Sequence, residues 1–464
     1  MRSSVYTIES DIDAGYCSYP SVPYWNNTNK AGNQKDWELL LKKNYDQNEP
    51  NQSVSLYIHL PFCEGKCAFC CFNAYITKNH SVEEPYINHV IKEWKLYVQL
   101  LGKKPLIKQL HLGGGSPTFF SAENLKRLLL EIYSNSEIHP NATLTFEVQV
   151  NSTTTEHLIE LGKLGFTSIT IGVQDFDALV QKSINQIQTF EEVKTIMKSA
   201  KSIGYQSVCF DLLFGLPHQS RKTIIDTIYK IRELKPERIS LNEYIHSPAK
   251  NPAQQSYEKD LPLEPEKKMF LKIYKNMLVE SGYIDIGMNQ FVQKTDMLYS
   301  AYKTNSLHRN MMGYSSQSTS ITIGLGVSAI SDAGYATVQN ERTVKAYYLS
   351  IDKNKLPVVN GYFLSEEDFI LRKHILNLQC TFKTSWDKSE GENKLLQKSI
   401  SRIKKFEKCN WLKISDNSIK IRKEGRDYIR NICSIFDSRI GKIQNTTIPS
   451  SYNEVLLGVN NKNK

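Results

Sequence analysis

Tyr57-Ile-His-Leu-Pro-Phe-Cys-Glu-Gly-Lys-Cys-Ala-Phe-Cys70 follows directly on the apolar, β-branched run that begins at Val54. The run reads as a strand, and Cys63, Cys67 and Cys70 fall in the loop after it. A C-x3-C-x2-C spacing supplies three thiolates to a cubane [4Fe–4S] cluster and leaves the fourth iron open to a small molecule. A structural zinc site is the competing reading, but it needs four N or S ligands, typically from two separated pairs. Cys71 as the fourth ligand would be cramped beside Cys70. Disulfides are disfavoured because the opening Met-Arg-Ser-Ser-Val-Tyr-Thr-Ile-Glu has no apolar signal core, and a cytoplasmic location is expected. Cys17, Cys209, Cys380, Cys409 and Cys433 are scattered and read as ordinary thiols.

Outward from the cysteines, short β-branched runs alternate with longer amphipathic ones. Strands are expected at Val54 to Leu60, Ile107 to Leu112, Thr143 to Val150, Ser168 to Val173, Ser207 to Leu213 and Arg238 to Tyr244. Helices are expected at Glu83 to Leu101, Ala122 to Tyr133, Thr154 to Leu164, Phe190 to Ile203 and Lys222 to Leu234. Thr153 with Glu156, and Thr189 with Glu192, fit capping boxes, and Gly165 and Gly204 fit helix stops. Six βα units in series imply an α/β fold with a parallel sheet and right-handed crossovers, partly closed as a (β/α)6 barrel. Chemistry then belongs at the carboxyl ends of the strands. The cysteine loop, Gly113-Gly114-Gly115-Ser116, Glu147, Gln174 with Asp175, and Asp211 all map to such ends. Glycines there let backbone amides and carbonyls approach a ligand closely.

The 464 residues, 40% of them hydrophobic, suffice for a large core and more than one domain, and no run is long enough to span a membrane. The net charge of +10 is spread along the chain, so a solvated basic surface is the default reading; a polycarboxylate ligand would suit it, and nucleic acid is not expected. The expected division is an N-terminal extension over the barrel mouth (1–52), the barrel (53–300), a Gly- and Ser-rich closing segment (301–363), a small winged-helix-like helical domain (364–440) and a flexible polar tail (441–464).

The motifs together resemble the oxygen-independent coproporphyrinogen III oxidase (dehydrogenase) family of the radical S-adenosylmethionine (SAM) superfamily. The resemblance runs from Cys17-Ser-Tyr-Pro-Ser through the cysteine loop, His111-Leu-Gly-Gly-Gly-Ser-Pro-Thr, Gly172-Val-Gln-Asp-Phe and Phe210-Asp-Leu-Leu-Phe-Gly-Leu-Pro. It continues in Leu307-His-Arg-Asn-Met-Met-Gly-Tyr, Gly326-Val-Ser-Ala-Ile-Ser and Ile429-Arg-Asn-Ile-Cys. The Leu-His-Arg-Asn stretch lies outside the general radical SAM core and favours the porphyrinogen oxidase branch. By this resemblance Cys63, Cys67 and Cys70 hold the cluster. Tyr57, Phe69, Gly114, Gly115, Ser116, Glu147, Gln174, Gln186, Asp211, Ile245 and Ile330 fall at SAM-binding positions of a family that binds two SAM molecules. His308, Arg309 and Tyr314 are the candidate substrate anchors and catalytic groups.

The reaction so implied is oxidative decarboxylation of two propionates of coproporphyrinogen III to the vinyl groups of protoporphyrinogen IX by way of a 5′-deoxyadenosyl radical. The implied partners are that small-molecule substrate and an electron donor of flavodoxin or ferredoxin type, with the enzyme a monomer. The chain departs from the family at four places: Gln186 stands where the family carries an arginine, Gln149 interrupts its Glu-Val-Asp-Pro, Gly15 replaces an early arginine, and Cys71 shifts an extra cysteine by one position. A radical SAM methyltransferase acting on another substrate, or a haem-binding protein, are the alternatives.

Overall fold

Polar and apolar residues alternate along the central strands, and that alternation builds the molecule. The computed structural model describes residues 18–20, 25, 34–47, 52–70, 73–249, 251–437 and 439–440. Gly15, Cys17, Cys71 and the tail from 441 onward lie outside these.

The main sheet has twelve strands. They are β1 (Ser53–Leu60), β2 (Leu106–Gly114), β3 (Glu137–Val148), β4 (Ser168–Gln174), β5 (Ser207–Phe214), β6 (Arg238–Glu243), β7 (Ile284–Gly287), β8 (Gln290–Val292), β9 (Ile321–Leu325), β10 (Ile330–Asp332), β11 (Ala336–Asn340) and β12 (Val358–Phe363). Their spatial order is β12-β11-β10-β9-β1-β2-β3-β4-β5-β6-β8-β7. From β9 across to β6 all neighbours are parallel, with Tyr57 opposite His111, Glu147 opposite Thr170 and Asp211 opposite Ser240. Helices Glu83–Leu101, Ala122–Ser134, Thr155–Lys163, Phe190–Ile203 and Arg221–Leu234 make the crossovers.

On β3, Leu144, Phe146 and Val148 enter the core beneath these helices, whereas Thr143, Thr145 and Glu147 line a central cavity. On β5, Val208, Phe210 and Leu212 do the former, and Ser207, Cys209 and Asp211 the latter. The period-2 pattern thus separates a dry shell from a polar barrel interior.

The Phe190–Ile203 helix starts at Thr189 with a capping box to Glu192 and stops at Gly204 in the left-handed conformation. The Thr155–Lys163 helix is capped one residue later than the sequence suggested, by Thr154 with His157 instead of Thr153 with Glu156. The reason is local: the Thr153 hydroxyl donates to the Gln149 carbonyl at 2.9 Å, which takes it away from the helix terminus.

The 301–363 segment, expected as a closing segment, supplies four sheet strands, and β9 extends the parallel array beside β1. Glu93 of the Glu83–Leu101 helix anchors this edge. Its carboxyl accepts from Gly326 N–H, Asn340 Nδ2 and Tyr347 O–H, each at 2.7 Å, and burial pushes its pKa up to about 8. Residues 364–440 contain helices Glu366–Thr381, Lys394–Ile403 and Ile429–Phe436 and a three-stranded sheet of Lys383–Ser385, Leu412–Ser415 and Ser418–Ile421 around a separate apolar cluster. The Lys383–Ser385 strand was not anticipated.

Candidate active site

Hydrogen bonds lash the cysteine loop to its neighbours on several sides. Gly115 N–H donates to Leu60 O at 2.9 Å and Ser116 N–H to Phe62 O at 3.0 Å, joining the glycine loop after β2 to the loop after β1. Thr77 N–H reaches Cys63 O at 2.9 Å, Ala68 N–H reaches Ile184 O at 2.8 Å, and Asn251 Nδ2 reaches Ala68 O at 2.7 Å. These bonds satisfy the loop backbone and leave the three sulfurs lining one cavity of about 400 Å³.

Burial, reinforced by Cys70 and Cys67, raises the Cys63 thiol far above its ordinary range, and burial pushes Cys67 up to about 11. Burial disfavours the thiolates, and a cationic group such as iron would favour them. Among the described residues no three Cys, His, Asp or Glu side chains converge on a single ion position. The glycines are required by the close approach of the two loops. A Cβ on Gly115 would lie 2.6 Å from Pro61 O and 2.9 Å from Cys63 Sγ, and Gly114 has φ +119°.

Phe69, Gly114, Gly115, Ser116, Glu147, Gln174, Gln186 and Asp211 all share this cavity wall with the cysteines. Gln174 ends β4 at φ +62°, a strained conformation for a residue with a side chain. Asp175 beside it does not face the cavity. It accepts from Gln219 Nε2 at 2.6 Å, Thr227 Oγ1 at 3.0 Å and Asp177 N–H at 2.7 Å, and so fixes the turn from behind. Gln186 donates to Gly172 O at 2.6 Å, so its amide is tied to the end of β4. Burial and the neighbouring charge of Glu147 push Asp211 up to about 7, partly offset by a hydrogen bond from Ser240.

The structure sets other expected residues elsewhere. Tyr57 lies beneath the glycine loop, stacked on His111 at 6.0 Å with its hydroxyl 3.0 Å from His59 Nδ1, and is not on the cavity wall. Ile330 is 2% exposed and packs with Trp25 and Tyr362. Ile245 lies just past β6 and is also absent from the wall.

A second cavity, of about 340 Å³, fills the barrel interior and shares Glu147, Thr170 and Asp211 with the first. Arg309 and Tyr314 line it from the hairpin His308–Asn310 and Gly313–Ser315, with the guanidinium 5.4 Å above the tyrosine ring. Tyr314 O–H donates to Gln379 O at 2.5 Å. His308 is not on this wall. It is nevertheless close to two residues that are, Arg372 and Asp332, with burial and Arg372 lowering its pKa.

Three further arginines on the wall were not anticipated: Arg238, Arg372 and Arg430. Arg238 Nε pairs with Asp296 at 2.6 Å and Arg372 with Asp332, whereas no carboxylate pairs with Arg309 among the described residues. Only Arg430 carried a usable signal, since it falls within Ile429-Arg-Asn-Ile-Cys.

A parallel partial barrel whose first loop presents three cysteines to a cavity defines a radical SAM enzyme, and residues 57–231 match the model of the Radical SAM superfamily. Enzymes of this class bind a [4Fe–4S] cluster and SAM. The chain is 31% identical over 434 residues to the oxygen-independent coproporphyrinogen III oxidase of Synechocystis sp., across 91% of this chain and 92% of that one. It is 31% identical over 400 residues to the Pseudomonas aeruginosa enzyme of the same name, across 84% and 87%. The solved coproporphyrinogen III oxidase from Escherichia coli, a radical SAM enzyme, superposes with a TM-score of 0.83 at 29% identity over 92% of this chain and 96% of that one. The chain belongs to the oxygen-independent coproporphyrinogen III oxidase family. Among the described residues no helix is long and apolar enough to cross a membrane.

Proposed function

We propose that this protein oxidatively decarboxylates propionate side chains of coproporphyrinogen III to vinyl groups without oxygen, in haem biosynthesis. One observation carries the reading: the arginine-bearing cavity and the three-cysteine cavity share a wall made of Glu147, Thr170 and Asp211. Cys63, Cys67 and Cys70 would hold the cluster, which with SAM supplies the one-electron chemistry that takes a hydrogen atom from carbon. Each propionate so oxidised gives up one hydrogen atom, CO2 and one electron to an acceptor.

The chain's own groups do the positioning. Gly114 and Gly115 keep the loop backbone close enough to accept an amino acid moiety. Glu147 and Asp211 accept from ammonium or ribose hydroxyl donors in charge-assisted hydrogen bonds. Arg309, stacked on Tyr314, offers a planar fork to a substrate carboxylate and holds that arm beside the shared wall. Residues 364–440 cover the substrate cavity, the enzyme works in the cytoplasm as a monomer, and its electron comes from a flavodoxin- or ferredoxin-type carrier.

The test is anaerobic turnover of coproporphyrinogen III by the reconstituted protein with SAM and a reductant. Two equivalents of CO2 and a divinyl product support the reading. A product that has gained carbon supports methyl transfer instead.

A further inference from the structure

Behind the Arg309–Tyr314 hairpin, side chains from two helices of the 364–440 segment reach the same cavity. Gln379, on the helix Glu366–Thr381, is 1% exposed and lines the cavity, and its Nε2 has no hydrogen-bond partner. Its own backbone carbonyl receives the Tyr314 hydroxyl, which places the residue against the hairpin. Arg430, the second residue of the helix Ile429–Phe436, lines the same cavity, and its Nη2 donates to the Met288 carbonyl at 3.4 Å. Arg309, over the Tyr314 ring, and Arg430 line the same cavity, and the charges of both act on Tyr314.

Asp285 acts on Tyr314, and Glu243 interacts with Arg430, from outside the cavity wall. Asp332 is paired with Arg372, and Glu147 and Asp211 belong to the wall shared with the cysteines. A buried amide donor without a partner is costly and rare, and here it lies beside two cations. Such a trio suits an anion with several acceptor lone pairs.

We propose that Arg309, Arg430 and Gln379 together bind one carboxylate of the tetrapyrrole substrate, making the C-terminal segment part of substrate recognition and not merely a cover. This rests on the substrate reading above. A carboxylate would accept from both guanidinium forks and from Gln379 Nε2, supplying the missing partner. Because the donors come from a hairpin and two helices, the site exists only when the C-terminal segment is packed against the barrel.

The test is equilibrium binding of coproporphyrin III, a tetracarboxylate, to the full-length cluster-loaded protein, with the uncharged tetramethyl ester as second probe. Arg430→Gln and Gln379→Leu should each weaken binding of the acid by roughly tenfold or more and leave the ester unaffected. Gln379→Leu should also raise the ligand-free melting temperature, because it removes an unpaired buried donor, so weaker binding cannot be blamed on misfolding. Wild-type affinity for the acid in both variants, with coproporphyrinogen III still turned over, would overturn this proposal and leave the substrate reading standing. If the wild-type protein neither binds the acid nor turns over coproporphyrinogen III, both fall together.

Discussion

Replacing Gly115 by alanine tests whether the glycine loop is built around the cysteine loop. The added Cβ would meet Pro61 O at 2.6 Å, Pro61 C at 2.7 Å and Cys63 Sγ at 2.9 Å, where ordinary contact begins near 3.4 Å. The Pro61 carbonyl would have to retreat by the difference between 3.4 and 2.6, which is 0.8 Å. Two hydrogen bonds oppose that retreat, Gly115 N–H to Leu60 O and Tyr75 N–H to Pro61 O. Overpacking of this kind costs about 1–3 kcal/mol in stability. A displacement approaching 1 Å beside a cluster ligand should lower the rate on the order of a hundredfold. The assay is iron content after anaerobic reconstitution, followed by the rate of reductive SAM cleavage. Gly162→Ala is the control: its nearest neighbour is the side-chain Cγ2 of Ile203 at 3.1 Å, far from the cysteines, and it should be neutral or slightly stabilising. Full iron loading and an undiminished cleavage rate in Gly115→Ala would refute the argument.

Other substitutions probe other parts of the site and the fold. Asp211→Asn, with the cluster intact, should weaken SAM binding by about 1.5–3 kcal/mol, the range for hydrogen bonds to charged groups, as read by isothermal titration. Cys63→Ala should lose both the cluster and SAM cleavage, whereas Cys71→Ser should retain about four irons per chain, because three thiolates suffice; iron analysis decides. Glu93 predicts a pH dependence of stability. Its pKa is raised from 4.5 to about 8 by folding, so its contribution is fully present below pH 4.5 and is lost as pH rises toward 8. Between pH 6 and 9 that loss amounts to about 3 kcal/mol, from 1.36 kcal/mol per unit. Glu93→Gln should flatten the decline in denaturant midpoint over that interval, and an unchanged slope would rule Glu93 out as its cause.

The barrel strands were legible because each carries its own alternation, and the helix ends because Thr189, Glu192 and Gly204 act locally. The β9 strand was not. Ile-Thr-Ile-Gly-Leu sits in a Gly- and Ser-rich stretch, and its pairing of Ile321 with Val54 spans most of the chain, with no local signal for it. The cysteine cavity could be read residue by residue, since its groups lie at successive strand ends. The arginine cavity could not. Arg238 lines it from β6, whereas Arg372 and Arg430 come from two helices that reach it only by packing of the C-terminal segment. His308 and Arg309 belong to one Leu-His-Arg-Asn stretch; Arg309 is on the cavity wall and His308 is not, although Arg372 and Asp332, whose charges act on it, are. Ile330, in Gly326-Val-Ser-Ala-Ile-Ser, packs in an apolar cluster with Trp25 and Tyr362.

The measurement that bears most directly on the account is the fate of hydrogen at the substrate carbon. The shared wall of Glu147, Thr170 and Asp211 places the substrate cavity directly against the cysteine cavity. Coproporphyrinogen III deuterated at the propionate carbon β to the carboxylate should be turned over anaerobically and the 5′-deoxyadenosine analysed by mass spectrometry. The account predicts one deuterium transferred to 5′-deoxyadenosine for each CO2 released. SAM cleavage without deuterium in the nucleoside, or without CO2, would contradict it.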